Sequence, residues 1–276
     1  MYERMKPFFQ NVALFRCPLC HSRLTAGETS LRCVKGHDFS LSKKGYADFC
    51  PSARAGAYDD ALFASRSRFI AGGFYEGLIE TLKALLRKYA PEGSVLDAGC
   101  GEGSFLKAIL PAPLTRPIIG LDLSRPGIQR AARGGGGWLW AVGDLSRLPL
   151  ETSSMAAILN ILSPANYPEF SRVLRPGGVM MKVVPGERYL VEVRSLVKDA
   201  LRHDAYSNER VVKLFGDRFE LLESKEISTV LPLAPAQATD LVAMTPLTQS
   251  IQKEQLDTAA LRFVTIHLHL LIGRPR

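Results

Sequence analysis

Residues 95–105 read VLDAGCGEGSF. The apolar opening carries one acid, Asp97, and breaks at Gly99, Gly101 and Gly103 before helix-compatible residues resume. Glycines in these places let a chain turn sharply off the C-terminal end of a strand and bring its backbone close to a ligand. A dinucleotide-binding turn sets its last glycine three residues after the second. Here Glu102 and Gly103 follow Gly101 directly, and Asp97 precedes the loop, where a carboxylate can meet a cationic group instead of a pyrophosphate. The segment predicts a strand, a ligand-binding loop and a helix.

The pattern continues in both directions. SVLDAGCG is followed by PIIGLDLS, GWLWAVGDL, MAAILNIL and VMMKVVP, with helical stretches between most of them, and LRFVTIHLHLLIG reads as a long final strand. That succession predicts an α/β fold with a doubly wound, mostly parallel sheet. Asp122 ends the second strand, about twenty residues after the glycine loop, where a carboxylate can accept both hydroxyls of a ribose. Asp144 ends the third, in reach of the exocyclic amine of an adenine. Upstream, the helical spacing of YDDALFASRSRFIAGGFYEGLIETLKALLRKYA breaks at Gly72 and Gly73 into two helices. SARAGAYDDALF, residues 52–63, is rich in small residues and reads as a linker.

The N-terminal segment poses a separate question. CPLCHSRLTAGETSLRCVKGH, residues 17–37, places three of the chain's five cysteines ahead of a histidine with the spacing C-x2-C-x12-C-x3-H. Two such pairs can complete a tetrahedron around a structural zinc and leave no position for water. Disulfides are the rival and fit poorly, because the opening MYERMKPFFQNVALFR has none of the marks of a secretory signal. His21 competes with His37, but its adjacency to Cys20 is geometrically awkward. The expected ligands are Cys17, Cys20, Cys33 and His37.

Residues 1–56 carry nine Lys or Arg against four acids, in a chain whose net charge is +8. A zinc held by three thiolates removes one unit of that excess. Basic charge beside a zinc knuckle favours a nucleic-acid partner, with a merely solvated face as the alternative. No apolar run reaches membrane-spanning length, so no membrane partner is expected and the cytoplasm follows as the expected compartment.

Together VLDAGCGEG, GLDLS, GDLSRLP and RVLRPGG (residues 172–178) resemble the S-adenosylmethionine-dependent methyltransferases of the Rossmann-like class, over about residues 91–185. With the zinc knuckle, LSKKGYADF, ALFASRSRFIAGGFYEGL, MTP at residues 244–246 and the closing IHL, essentially the whole chain resembles the bacterial 23S rRNA (guanine-N1)-methyltransferases. Members of that family give resistance to tylosin-type macrolides. The resemblance implies a Rossmann-like class I methyltransferase fold with a small N-terminal zinc domain. It implies a zinc-binding, rRNA-recognising domain over residues 1–56, a linker and helical connector over 57–90, and a methyltransferase domain over 91–276. It also implies a homodimer that holds rRNA in a cleft between the domains, and methylation at N1 of a guanine in a hairpin loop of domain II of 23S rRNA. The positions it assigns to S-adenosylmethionine are Tyr75, Asp97, Gly99, Gly101, Gly103, Ser104, Phe105, Leu106, Asp122, Leu123, Asp144, Leu145, Asn160 and Tyr189.

Guanine N1 is protonated at neutral pH, so a general base in hydrogen-bond reach would assist attack. Asn160 and Ser163 of NILSPAN lie where the acceptor should enter, although neither accepts protons well, and Glu187 is a candidate by location. Lys35, Lys43, Lys44, Arg54 and Arg66 are expected to meet RNA phosphates. Tyr46, with Phe49 and Tyr58, offers rings for stacking on unpaired bases. The alternative for Tyr46 and Phe49 is the zinc domain's own core; for Arg66 and Arg68 it is the wet side of a helix. Two other functions remain open. A methyltransferase acting on a small molecule leaves the basic zinc module unexplained. A binding module with an inactive core is opposed by the intact Asp97, Asp122 and loop glycines.

Overall fold

The protein is described by a computed structural model covering residues 2–51, 59–198, 207–249, 251 and 256–276. Elements are numbered in chain order. Strand β5 (Ser94–Ala98) is buried at every position, as a parallel strand covered on both faces must be. It pairs in parallel with β6 (Ile118–Asp122) and with β8 (Met155–Ile161). Parallel strands β7 (Leu139–Val142) and β9 (Leu174–Pro185) extend the sheet on either side. Beyond β9 comes β11 (Phe263–Pro275), and against it the edge strand β10 (Phe219–Pro232), both pairings antiparallel. The α/β architecture and mostly parallel centre are those expected. β10 is an addition that the sequence pattern did not announce.

Helices α2 (Asp60–Ala71) and α3 (Glu76–Tyr89) precede β5 and are joined through Gly73, whose φ of +86° only glycine adopts easily. Asp59 starts α2 by accepting from the Leu62 N–H at 2.7 Å, so residues 60–63 of the expected linker are helical. Residues 52–58, with Arg54 and Tyr58, lie outside the described residues. Leu78, Leu82, Leu85 and Leu86 bury one stripe of α3, the spacing of an amphipathic helix. Helices α4 (Ser104–Ile109), α5 (Arg125–Ala132), α6 (Tyr167–Val173), α7 (Val191–Leu196), α8 (Glu209–Arg218) and α9 (Pro235–Met244) complete the layers.

The N-terminal segment begins with α1 (Lys6–Gln10) and folds into β1 (Leu24–Ala26), β2 (Ser30–Cys33), β3 (Asp38–Ser42) and β4 (Tyr46–Asp48). These four strands join the main sheet. β4 pairs in parallel with β7, Tyr46 opposite Trp140 and Asp48 opposite Val142. The sheet order is therefore β1-β2-β3-β4-β7-β6-β5-β8-β9-β11-β10. The core is continuous as well: Phe8, Phe15, Phe39 and Phe49 share one buried cluster with Leu96, Ile119, Leu121 and Ile158. Size favours this arrangement, since some fifty residues bury little apolar surface and make a marginal core alone. Each phenylalanine so buried contributes about 1.5–3 kcal/mol.

Candidate active site and metal centre

Two turns build the metal centre. The first is closed by the His21 N–H donating to Cys17 O and the Cys17 N–H donating to Ser22 O, both at 2.9 Å. His21 takes the left-handed conformation there (φ 61°) and contributes no atom to the cluster. In the second, Gly36 N–H donates to Cys33 O at 3.0 Å, with Gly36 at φ +81°. The four ligand atoms of Cys17, Cys20, Cys33 and His37 lie within 4.8 Å of one another. Cys20 Sγ is 3.6 Å from Cys33 Sγ, and His37 Nδ1 is 3.4 Å from the sulfurs of both Cys17 and Cys33. Zinc–sulfur bonds of about 2.3 Å give tetrahedral S···S edges of about 3.8 Å. The cage thus has the size and donor chemistry of one structural zinc with no open position.

At the other site, three glycines with positive φ carry the chain from β5 into α4. A Cβ on Gly99 would stand 1.8 Å from Ser163 Oγ, and one on Gly103 would stand 2.4 Å from Trp140 Cη2. Both positions exclude any side chain. Asp122 pins the loop, its Oδ2 accepting from Gly101 N–H at 2.8 Å and its Oδ1 from Ser124 N–H at 2.7 Å. Each oxygen keeps a lone pair for a ligand hydroxyl.

Two adjoining cavities open above the loop. One, of about 320 Å³, is lined by Phe63, Gly99, Gly101, Asp122, Leu123, Asp144, Leu145 and Ser163 among others. The other, of about 210 Å³, is lined by Tyr75, Phe105, Tyr189, Arg194 and residues 244–247 among others. Tyr75 and Tyr189 join their hydroxyls at 2.6 Å, and burial raises both above the usual tyrosine range, so both stay protonated. Asp97 lies behind the loop, 2% exposed, and its Oδ1 has no hydrogen-bond partner. Burial first, then the nearby Asp122 and Glu102, push its carboxyl up to about 8. A buried carboxyl lacking a partner suits a ligand that brings positive charge, and acids at two strand ends suit a ribose and an adenine. These features fit S-adenosylmethionine.

Several expected residues stand elsewhere. Asp97, Gly103, Ser104 and Leu106 line neither cavity: Asp97 and Gly103 stand behind or within the loop, Leu106 is wholly buried in the core, and Ser104 hydrogen-bonds to Ser67 at 2.9 Å. Asn160 is 0% exposed, its two N–H groups donating to Ala98 O (2.7 Å) and Pro164 O (3.0 Å) and its Oδ1 accepting from Lys182 at 2.5 Å. Its amide ties β8 to β5, to β9 and to the loop after β8. Glu187 is exposed and lines neither cavity, because the turn closed by the Tyr189 N–H on Gly186 O carries Tyr189 to the cavity instead. Tyr46 is 8% exposed and accepts from Gln129 at 3.2 Å, so its ring belongs to the core, as does that of Phe49. Arg66 lines both cavities rather than an outer face, and Arg68 forks onto Asp240. Lys35, Lys43 and Lys44 are exposed. Sequence reasoning missed Lys182, whose only signal is a lone charge inside VMMKVVP. It also missed Leu162, held at φ 51° where the two cavities meet.

A glycine loop at the C-terminal edge of a parallel sheet, with acids on the next two strand ends, defines a class I methyltransferase, here carrying a zinc ribbon on its sheet edge. The methyltransferase domain model matches residues 95–178, and the model described as RlmA, N-terminal, a zinc ribbon, matches residues 15–54. The protein YxjB of Bacillus subtilis, named as a 23S rRNA (guanine-N(1)-)-methyltransferase, is 34% identical, covering 95% of this chain and 97% of its own. The 23S rRNA (guanine(748)-N(1))-methyltransferase of Streptomyces fradiae is 30% identical, covering 96% and 98%. A methyltransferase solved in complex with the Haloferax volcanii Trm112 activator shares the fold, with TM-score 0.52 and 22% identity over 81% of this chain and 99% of that one. The chain belongs to the 23S rRNA (guanine-N1)-methyltransferase family and is an S-adenosylmethionine-dependent enzyme. No helix among the described residues is long and apolar enough to cross a membrane.

Proposed function

We propose that this enzyme methylates N1 of a guanine in a hairpin loop of domain II of 23S rRNA, in the cytoplasm and as a homodimer, and that the product confers tylosin-type macrolide resistance. The observation that carries this reading is the joint presence, on one chain, of the zinc ribbon and the donor cavities, matched over nearly full length by relatives of that name. Bound S-adenosylmethionine supplies a methyl group on a sulfonium, open to in-line displacement. Tyr75, Gly99, Gly101, Phe105, Asp122, Leu123, Asp144, Leu145 and Tyr189 would hold it, from the walls of the two cavities. The residues' main contribution is alignment, which can lower such a barrier by about 7–11 kcal/mol. With Asn160 engaged and Glu187 outside, the N1 proton goes to water or to the RNA.

In this reading the zinc ribbon is the RNA platform, and the exposed Lys35, Lys43 and Lys44 meet phosphates. The test is primer extension on 23S rRNA from cells with and without the gene, since N1 methylation blocks base pairing. A stop at one domain II guanine, present only with the gene, supports the reading; identical traces refute it. Sedimentation measures the dimer, and growth on tylosin measures resistance.

A further inference from the structure

Of the three residues that line both cavities, Arg66 is the charged one; the others are Leu162 and Pro246. A Cβ on Gly101 would meet Arg66 Nη1 at 3.3 Å, which sets the guanidinium against the glycine loop. Its positive charge opposes the burial-driven rise of the Asp97, Glu102 and Asp122 carboxyls. Yet it makes no hydrogen bond or ion pair among the described residues. Five N–H groups in a planar fork are matched to a carboxylate. Nearby, Asp97 Oδ1 and Glu102 Oε2 are buried acceptors without partners. A ligand bearing phosphate would offer these buried acceptors neither a donor nor positive charge. A ligand ending in a free α-amino acid satisfies both sides, with ammonium for the acids and carboxylate for the arginine.

We propose that Arg66 binds the carboxylate of the methyl donor's amino-acid arm while Asp97 receives its ammonium. The seam between the cavities is then a zwitterion site, and it selects donors that carry the whole methionine arm. The inference rests on the assignment of these cavities to S-adenosylmethionine. It also gives Arg66 a role away from RNA.

The test is calorimetry with two ligands that share the adenosine part: S-adenosylhomocysteine, which keeps the arm, and 5′-methylthioadenosine, which lacks it. Arg66→Gln should weaken S-adenosylhomocysteine at least about tenfold, the size of one charge-assisted pair, and leave 5′-methylthioadenosine within about twofold. Arg66→Lys should recover part of the loss, since it keeps the charge and drops the fork. Equal losses for both ligands would overturn the proposal, because Arg66 would then only shape the adenosine cavity. Unchanged S-adenosylhomocysteine affinity with weakened rRNA affinity would overturn it in favour of a phosphate contact. If the parent binds neither ligand, the cofactor assignment itself fails. Thermal melting checks that Arg66→Gln folds; should it not, the ratio of the two affinities in Arg66→Lys decides.

Discussion

Lys182 is a charge where the sheet should be apolar, and its behaviour can be worked out from its neighbours. It is 4% exposed on β9, and its ammonium donates to Asn160 Oδ1 at 2.5 Å and to Ser163 O. Asn160 passes the connection to Ala98 O and Pro164 O. The network thus ties β9 and β8 to the end of β5 and to the loop at the cavity seam. Burial pulls this lysine down to about 8, from a usual value near 10.4. Holding it charged at neutral pH costs about 3 kcal/mol relative to the unfolded chain. Between pH 8 and the ordinary lysine range the unfolded chain binds more protons than the folded one, so folding stability from this group rises with pH.

Lys182→Met removes that burial cost and leaves Asn160 Oδ1 and Ser163 O without a donor, at about 1–3 kcal/mol each. At pH 7 the two effects largely cancel, and the variant should lie within about 3 kcal/mol of the parent despite full burial. At pH 10 the parent is relieved of its charge while the variant keeps its orphaned acceptors. The stability gap should therefore widen against the variant by about 2–3 kcal/mol from pH 7 to pH 10. Urea unfolding of both proteins across that range measures it, and the other lysines and tyrosines cancel in the difference. A gap that does not change with pH refutes the reasoning. Methyl transfer should fall together with loop order, since a misplacement of about 1 Å can cost on the order of 10²-fold.

Asp122→Ala should weaken S-adenosylmethionine at least about tenfold, because the ribose contacts go and two loop N–H groups lose their acceptor; unchanged affinity in calorimetry rules out the assigned cavity. Cys33→Ser should abolish zinc binding, with the parent holding one zinc per chain, and lower the melting temperature through the shared core; full metal content by elemental analysis rejects the ligand set. Lys43→Ala with Lys44→Ala should flatten the salt dependence of rRNA binding by roughly 0.7 units of slope for each phosphate no longer neutralised. Neither lysine lines a donor cavity, so S-adenosylmethionine affinity should stay within about twofold, and coincident salt lines for parent and variant exclude the platform.

What could be read from the sequence was local. Gly99, Gly101 and Asp122 each lie within a turn of their own strand, so spacing alone placed them at the sheet edge that a cavity adjoins. The zinc ligands share two short turns and were equally legible. The misplaced residues depend on partners far along the chain. Tyr46 reads equally as a stacking ring or a core residue until β4 is known to pair with β7, some ninety residues on. Asn160 reads as a pocket residue until Lys182 and Ala98 are seen to take its amide from two other strands. Arg66 and Arg68 share a helix, and helical periodicity does not say that one turns to the cavity seam and the other to Asp240 of α9. Lys182 itself has a sequence signal, but a lone lysine in an apolar strand names no partner.

The joined sheet bears on how the reaction would be aligned. Phe49 N–H donates to Val142 O at 2.9 Å, two residues before Asp144. Asp48 meets Arg125 at 2.6 Å, at the start of α5 and three residues after Asp122. The zinc ribbon therefore touches both loops that carry the donor-cavity acids. The ion pair alone is half-exposed, and such pairs contribute about 0–1 kcal/mol. Its effect lies in position. Lys43 and Lys44 sit in the turn between β3 and β4, the strand that sets register against β7. A basic module on a loose tether would raise the local concentration of RNA but leave its angle free. A module sharing a sheet with the donor site fixes both, and in-line transfer depends on the angle. On the proposed function, zinc acts on catalysis through this geometry: the metal orders β1 to β4, β4 locks onto β7, and β7 holds the loop whose Asp144 and Leu145 wall the cavity.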